Sequence, residues 1–411
     1  MNGFTTKSIH GGAGKKDAHG SLRMPVYDNA AFDVGSAHDL ELVFEGRKPA
    51  HAYSRITNPT VEDFEQKIRL ISNSFGVVAV SSGMAAISET TIALCETGSN
   101  IITSPFLFGN TVSLFETTLK RWGLQVRHAD MTNPASLESV IDHNTRFIFL
   151  EVITNPQLEV ADIARVCAVA SKHNVPVVLD GTLTTPYLFN SRAAGVAIEI
   201  ISSTKYISGG ATSIGGVIID NGVFDWKKNP ALENDAGKVG PGALIMRLRR
   251  EIHRNTGSCL SPHNAWLQSL GLETLALRIE KSCANALAIA EFLQSQARVR
   301  SVNYPGLEAS PFHAIAKEQF KGRFGGILTF ELINKTECFR LMDSLTIIRR
   351  ATNVNDNKTL ILHPASTIFA DYPAAQREKN MGVSDQLIRL SVGIEDVEDI
   401  INDLKQGLET L

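Results

Sequence analysis

The chain has 411 residues, 43% of them apolar, and a formal charge of −3 at pH 7. That length can bury a large core in about two domains, and the balance excludes a disordered chain and any electrostatic footprint for nucleic acid. No apolar run approaches the ~18 residues of a membrane span, and Met1 to Lys7 lacks the apolar stretch of a signal peptide, so no membrane partner is expected. The five cysteines (Cys95, Cys167, Cys259, Cys283, Cys338) fall at neither metal-site nor redox-motif spacing, which predicts reduced thiols, a cytoplasmic chain and no metal.

Residues 1–60 read as an irregular N-terminal arm, because Gly11, Gly12, Gly14, Gly20, Pro25 and Gly35 interrupt every periodic pattern. An arm lying on a neighbouring subunit and a loop wrapping its own domain both suit such a stretch. Tyr53 and Arg55 lie two apart; in an extended segment they point the same way and could grip an anion together. A solvated arginine is the ordinary alternative. Asn58-Pro59 marks a turn, and Thr60 is placed to cap a helix beginning at Val61.

From 61 to about 250, buried strands alternate with helices, which predicts an α/β domain with a mostly parallel sheet. Val77–Val80 runs into Ser81-Ser82-Gly83-Met84 and a helix reaching about Cys95, a turn whose free N–H groups can cradle a phosphate. A strand from Asn100 leads to Phe106-Leu107-Phe108-Gly109, where an aromatic face could stack on a flat ring or simply pack in the core. The strand Phe147–Val152 leads on to Asn155-Pro156, and Val175–Asp180 closes on a carboxylate that needs a partner, either a cationic ring nitrogen or an ordinary ion pair. Val196–Ile201 delivers Ser202-Ser203-Thr204-Lys205, followed by Gly209-Gly210. A lysine in a dry pocket loses its charge readily and can hold an aldehyde as a Schiff base; alone, the motif also suits a surface lysine before a glycine turn. Ser203 and Thr204 could donate to a phosphate, and the glycines would let a bulky group approach the backbone. Ser82, Asn155, Asp180 and Lys205 all follow strand ends, where ligands of such sheets bind.

A boundary is expected near 255, giving a large domain over 61–255 and a smaller α+β domain over 256–411. Helical spacing of Leu272, Leu275, Ala276, Ile279, Cys283, Ala286 and Ala290 predicts one long helix from Asn264 to about Gln294. Arg389 stands alone in an apolar run, and a buried arginine wants a carboxylate, a substrate's or a structural one.

Together, Tyr53-Ser54-Arg55, Asn58-Pro59-Thr60, Ser82-Gly83-Met84-Ala85, Asn155-Pro156, Asp180, Ser203-Thr204-Lys205, His363-Pro364-Ala365-Ser366 and Arg389–Gly393 resemble the pyridoxal-phosphate enzymes of cysteine and methionine metabolism. Gly271–Leu275 and Glu151–Pro156 are similar to the branch that sulfhydrylates O-acetylhomoserine. The resemblance implies a fold type I transferase. In it Lys205 holds the cofactor and carries protons, Asp180 pairs with its ring nitrogen, and Asn155, with Thr182 beside it, meets its phenolic oxygen. Phosphate contacts fall to Gly83, Met84, Ser203 and Thr204, completed by Tyr53 and Arg55 of a neighbouring subunit in a tetramer built from two dimers; Tyr53 is also counted with the catalytic set. Arg389, helped by Asn353, is implied to clamp the substrate carboxylate. The implied reaction is γ-replacement on an activated homoserine ester by sulfide, a thiol or a protein thiocarboxylate. The alternative is a methionine or cystathionine γ-lyase, or a cystathionine synthase. Two departures stand out: Phe108 occupies the place of a ring-stacking tyrosine, and Gly181 follows Asp180 where many relatives have Asn.

Overall fold

A computed structural model describes residues 2–12, 17 and 19–411; Met1 and Gly14, both named above, lie outside them. Seven strands form the large sheet: β1 (Gly76–Val80), β2 (Asn100–Thr103), β3 (Gln125–His128), β4 (Thr145–Glu151), β5 (Val177–Asp180), β6 (Ile198–Ile201) and β7 (Gly216–Asp220), in the order β1-β7-β6-β5-β4-β2-β3. Strand β7 runs antiparallel to both neighbours and all other pairs are parallel. β1, β2, β4, β5, β6 and β7 are apolar and buried almost throughout, as strands covered on both faces must be. The carboxyl ends of β1, β4, β5 and β6 open on the same edge.

Among the described residues before Asn58, the helices α1 (Phe4–His10) and α2 (Ala37–Phe44) stand where the glycines predicted irregular chain. Phe4 packs on Tyr187 of its own chain with ring centroids 5.0 Å apart, whereas α2 buries none of its residues. Helix α3 (Pro59–Ser72) starts earlier than expected. Asn58, not Thr60, is its cap, accepting from the Thr60 N–H at 2.9 Å, because Pro59 suits the first helical position. The Thr60 hydroxyl instead takes the Tyr27 N–H and donates to the Pro25 carbonyl, pinning the preceding segment. Beyond β1 come α4 (Gly83–Leu94) and, after Phe108, α5 (Gly109–Ser113).

The pattern read as one long helix is two, Pro262–Glu273 and Leu275–Gln294, broken at Thr274. Arg278 explains the break. Its guanidinium takes the Gly271 carbonyl at 2.7 Å and also the Tyr206 carbonyl at 2.6 Å. Burial lowers its pKa to about 10. The second helix then joins the two sheets. Leu275, Ile279 and Cys283 pack with β1 and β7 residues, and Ala286, Ile289, Ala290 and Leu293 pack with Leu328 and Phe330. Those two lie in the small sheet of β8 (Ser301–Asn303), β9 (Ile327–Glu331), β10 (Arg349–Arg350), β11 (Leu360–Leu362) and β12 (Leu387–Ser391), ordered β10-β11-β12-β9-β8.

Candidate active site

The ends of four strands together with Thr352, Val354 and Arg389 enclose one cavity of about 300 Å³. Gly83, Met84, Phe108, Asn155, Asp180, Thr182, Thr204, Lys205 and Arg389, all singled out in the sequence, line it. Tyr53 and Arg55 do not. Both are exposed, and a turn rather than an extended segment joins them, yet the Arg55 guanidinium lies 5.3 Å from the Tyr53 ring centroid. Ser203 is fully buried with an unpartnered hydroxyl outside the lining, and Ser202 faces the cavity in its place.

Lys205 sits in a tight turn after β6, with its N–H on the Ser202 carbonyl and its carbonyl taking the Gly209 N–H. At Gly209 (φ +78°) the group that approaches the backbone is Arg278 rather than a ligand: a Cβ there would lie 2.6 Å from the guanidinium carbon. The Arg278 bond to Tyr206 thus ties the lysine turn to the helix break. Lys205 Nζ donates to Asn353 Oδ1 at 2.6 Å, and Asn353 Nδ2 donates to Asp356 Oδ2 at 3.0 Å. Burial and the nearby Arg389 charge lower the lysine's pKa, which favours the free amine.

The phosphate-cradle expectation rests on α4. Ser82 caps it by accepting the Ala85 N–H at 3.0 Å, and the Gly83 and Met84 N–H groups, in the first turn, have no intrahelical acceptor. A Cβ on Gly83 would lie 2.7 Å from the Ser202 Cβ, so glycine is what lets this helix end reach the lysine turn. Thr204 faces the same space, its hydroxyl shared with the Gly215 backbone at 3.0 and 3.1 Å.

At the other side, Asp180 accepts the Thr182 N–H at 2.9 Å, and Thr182 Oγ1 accepts the Ser202 N–H at 2.8 Å. Burial raises the Asp180 pKa, so as an anion it calls for a cation. Arg389, 2% exposed, donates to Asn155 Oδ1 at 3.1 Å and to the Asn353 carbonyl at 3.2 Å. Burial lowers its pKa to about 9, its Nε has no partner, and no carboxylate of the described residues lies within ion-pair reach. The structural-carboxylate option is therefore unmet, and the guanidinium is free to take a ligand's.

Glu151 was not singled out as a site residue. Strand register sets it opposite Asp180, and its Oε1 accepts the Phe108 N–H at 2.7 Å, anchoring the aromatic loop. An acid closing the apolar run Phe147–Leu150 is the available signal. Burial and the Asp180 charge push its pKa to about 8. A raised carboxyl contributes stability fully below its unfolded value and loses it as pH rises through the folded value. Glu151→Gln is therefore expected to gain thermal stability relative to the unmutated ligand-free chain between about pH 5 and 9, as scanning calorimetry of the pair would show. A constant difference across that range would contradict the buried, protonated acid.

A profile of the Cys/Met metabolism PLP-dependent enzymes matches residues 5–409. The O-acetyl-L-homoserine sulfhydrylase of Corynebacterium glutamicum is 36% identical, over 100% of this chain and 97% of its own. The L-methionine gamma-lyase of Pseudomonas putida is 35% identical, over 100% and 98%. A solved structure of O-acetylhomoserine sulfhydrylase from Wolinella succinogenes is 47% identical, covers 86% of this chain and 99% of its own, and superposes with a TM-score of 0.78.

Proposed function

The chain belongs to the Cys/Met metabolism PLP-dependent enzymes, a fold type I transferase, and from that premise we propose that it catalyses γ-replacement on O-acetyl-L-homoserine. Sulfide or a thiol displaces acetate, giving homocysteine or its thioether. The observation that carries this reading is Phe108 in the cavity wall, with no tyrosine among the described lining residues. A thiolate leaving from methionine benefits from a proton donor, typically worth roughly 10²–10⁴-fold, whereas acetate leaves without one. Glu151, whose pKa burial raises, is engaged through Oε1 with the Phe108 N–H at 2.7 Å and stands in register with Asp180.

The residues present fit pyridoxal phosphate. The α4 N–H groups with Ser202 and Thr204 offer donors to a phosphate, Asp180 offers an anion to a ring nitrogen, and Lys205 lines the same cavity. When bound, the group supplies an electron sink next to the substrate's α carbon. Lys205 would hold the group by its aldehyde, and its amine would serve as the base for the substrate's α proton and carry protons along the chain. Asn353 keeps the free amine aimed, through its 2.6 Å bond. Arg389 binds the substrate carboxylate, and Phe108, in the cavity wall, would pack on the bound group and exclude water. Tyr53 and Arg55, exposed and away from their own cavity, reach the phosphate of a second copy, in a tetramer made of two such dimers. No helix among the described residues is long and apolar enough to cross a membrane, and the free cysteines suit the cytoplasm. A sulfur-carrier protein is one candidate donor, alongside sulfide and methanethiol.

Arg389→Lys is expected to raise KM for the amino-acid substrate roughly 10- to 100-fold with a smaller change in kcat, because an ammonium cannot reproduce the planar fork. An unchanged KM would remove the clamp role. The activity itself is tested by offering acetyl, succinyl and phospho esters of homoserine with sulfide or methanethiol and identifying products by mass. Acetate release that depends on sulfide is the expected result. Ammonia and an oxoacid from methionine at comparable kcat/KM would instead establish a γ-lyase, the activity of a relative of nearly equal identity.

A further inference from the structure

Segment 352–357, between β10 and β11, joins the arginine and the lysine of the cavity. On one side Arg389 donates to the Asn353 carbonyl at 3.2 Å, and the Asn355 N–H donates to Ser391 Oγ at 2.7 Å. On the other, the Asn357 N–H donates at 2.8 Å to the carbonyl of Gly209, the glycine whose own N–H closes the Lys205 turn. The segment is thus held between β12 and the lysine turn. Within it Asp356 is 8% exposed, and each of its oxygens has a donor. Oδ2 takes Asn353 Nδ2 at 3.0 Å and Oδ1 takes the Lys358 N–H at 3.1 Å. An ionised carboxylate accepts and cannot donate. Asn353 therefore turns its nitrogen to Asp356, which leaves its oxygen for Lys205 Nζ, 2.6 Å away.

We propose that Asp356 is a positioning residue for Lys205: it fixes the orientation of the Asn353 amide, so that the amine donates to an oxygen and keeps its lone pair clear. The proposal rests on the role given to Lys205 above. The opposite amide orientation would set an N–H donor against that lone pair, and an amine so engaged neither attacks an aldehyde nor takes a proton. Asp356 acts as a charge as well. Burial and Arg389 lower the lysine's pKa and Asp356 opposes them; on its other side Asp356 meets the Arg278 charge. Asp180 and Glu151 are the other carboxyls on the cavity wall. Asparagine at 356 would have one acceptor for two donors. When that acceptor serves Lys358, its NH2 faces Asn353 and reverses the amide.

The test is the rate at which the full chain, freed of cofactor, captures pyridoxal phosphate, followed across pH by the growth of the visible band. The high-pH plateau, where the amine is uncharged, reads the lone pair; the midpoint reads the charge. Asp356→Asn is expected to lower the plateau roughly three- to tenfold, the scale of one hydrogen bond. Its midpoint should move to lower pH, because losing an anion disfavours the ammonium. In an Asn353→Ala background the plateau should no longer respond to Asp356→Asn, since no amide remains to turn. The exchanged pair, Asn353→Asp with Asp356→Asn, gives a second reading that does not depend on how the single variant folds. It again presents an oxygen to Lys205, and its plateau should return to within about twofold of the unmutated chain. Equal plateau losses in both backgrounds, a midpoint shift without plateau loss, or no recovery in the exchanged pair overturns the proposal. If the unmutated chain captures no pyridoxal phosphate, the Lys205 reading fails and takes this one with it; normal capture with an additive cycle sinks only the role of Asp356.

Discussion

Lys205→Ala is expected to leave no measurable turnover, a loss exceeding the roughly 10²–10⁴-fold that a proton carrier alone accounts for, since the same amine also holds the cofactor. The visible band that develops when pyridoxal phosphate is added should vanish with it. The geometry allows few substitutes. The amine stands in a half-buried turn pinned by Arg278 and by the Asn353 side chain, and burial already inclines it to lose its charge. No other lysine among the described residues lines the cavity. Retention of activity within about a hundredfold, or of the visible band, would mean that the amine is not the group that reacts.

Asp180→Ala is expected to lower kcat by roughly 10²–10³-fold, the scale of removing one preorganised electrostatic partner in a closed site, while some cofactor still binds. The phosphate end and the lysine supply binding independently of this carboxylate. The raised pKa of Asp180 shows that its surroundings do not by themselves favour the anion. A cationic ring nitrogen would supply that preference, and the nitrogen would keep its proton in return. With alanine the nitrogen loses its counter-charge and the electron sink weakens. The measurement is kcat together with the cofactor dissociation constant. A variant that binds cofactor as well as the unmutated chain and turns over within about threefold would show that the acid serves packing alone.

Much of this site could be seen in the chain because its residues follow the strands that carry them. Asp180 closes an apolar strand, Lys205 and Asn155 each follow the end of one within a short turn, and parallel strands bring such positions to one edge. Ser203 was harder. In a tight turn the residue that faces inward is set by the turn's own hydrogen bonds, and here Ser202 and Thr204 face the cavity. The helix break at Thr274 was not visible because Leu272, Leu275 and Ile279 keep helical spacing across it; Arg278 decides it by taking the Gly271 carbonyl. The two early helices escaped notice behind their glycines.

By itself the amino-acid sequence determined the alternation of strands and helices, the α/β class and the order in which a lysine, an acid and an arginine are delivered, since these depend on local periodicity and on residue chemistry. Only the tertiary structure decided that Asn353 would hold the lysine and that Glu151 would anchor the aromatic loop. Each of these joins residues far apart in the chain, and the packing of one strand against the next sets which of them meet.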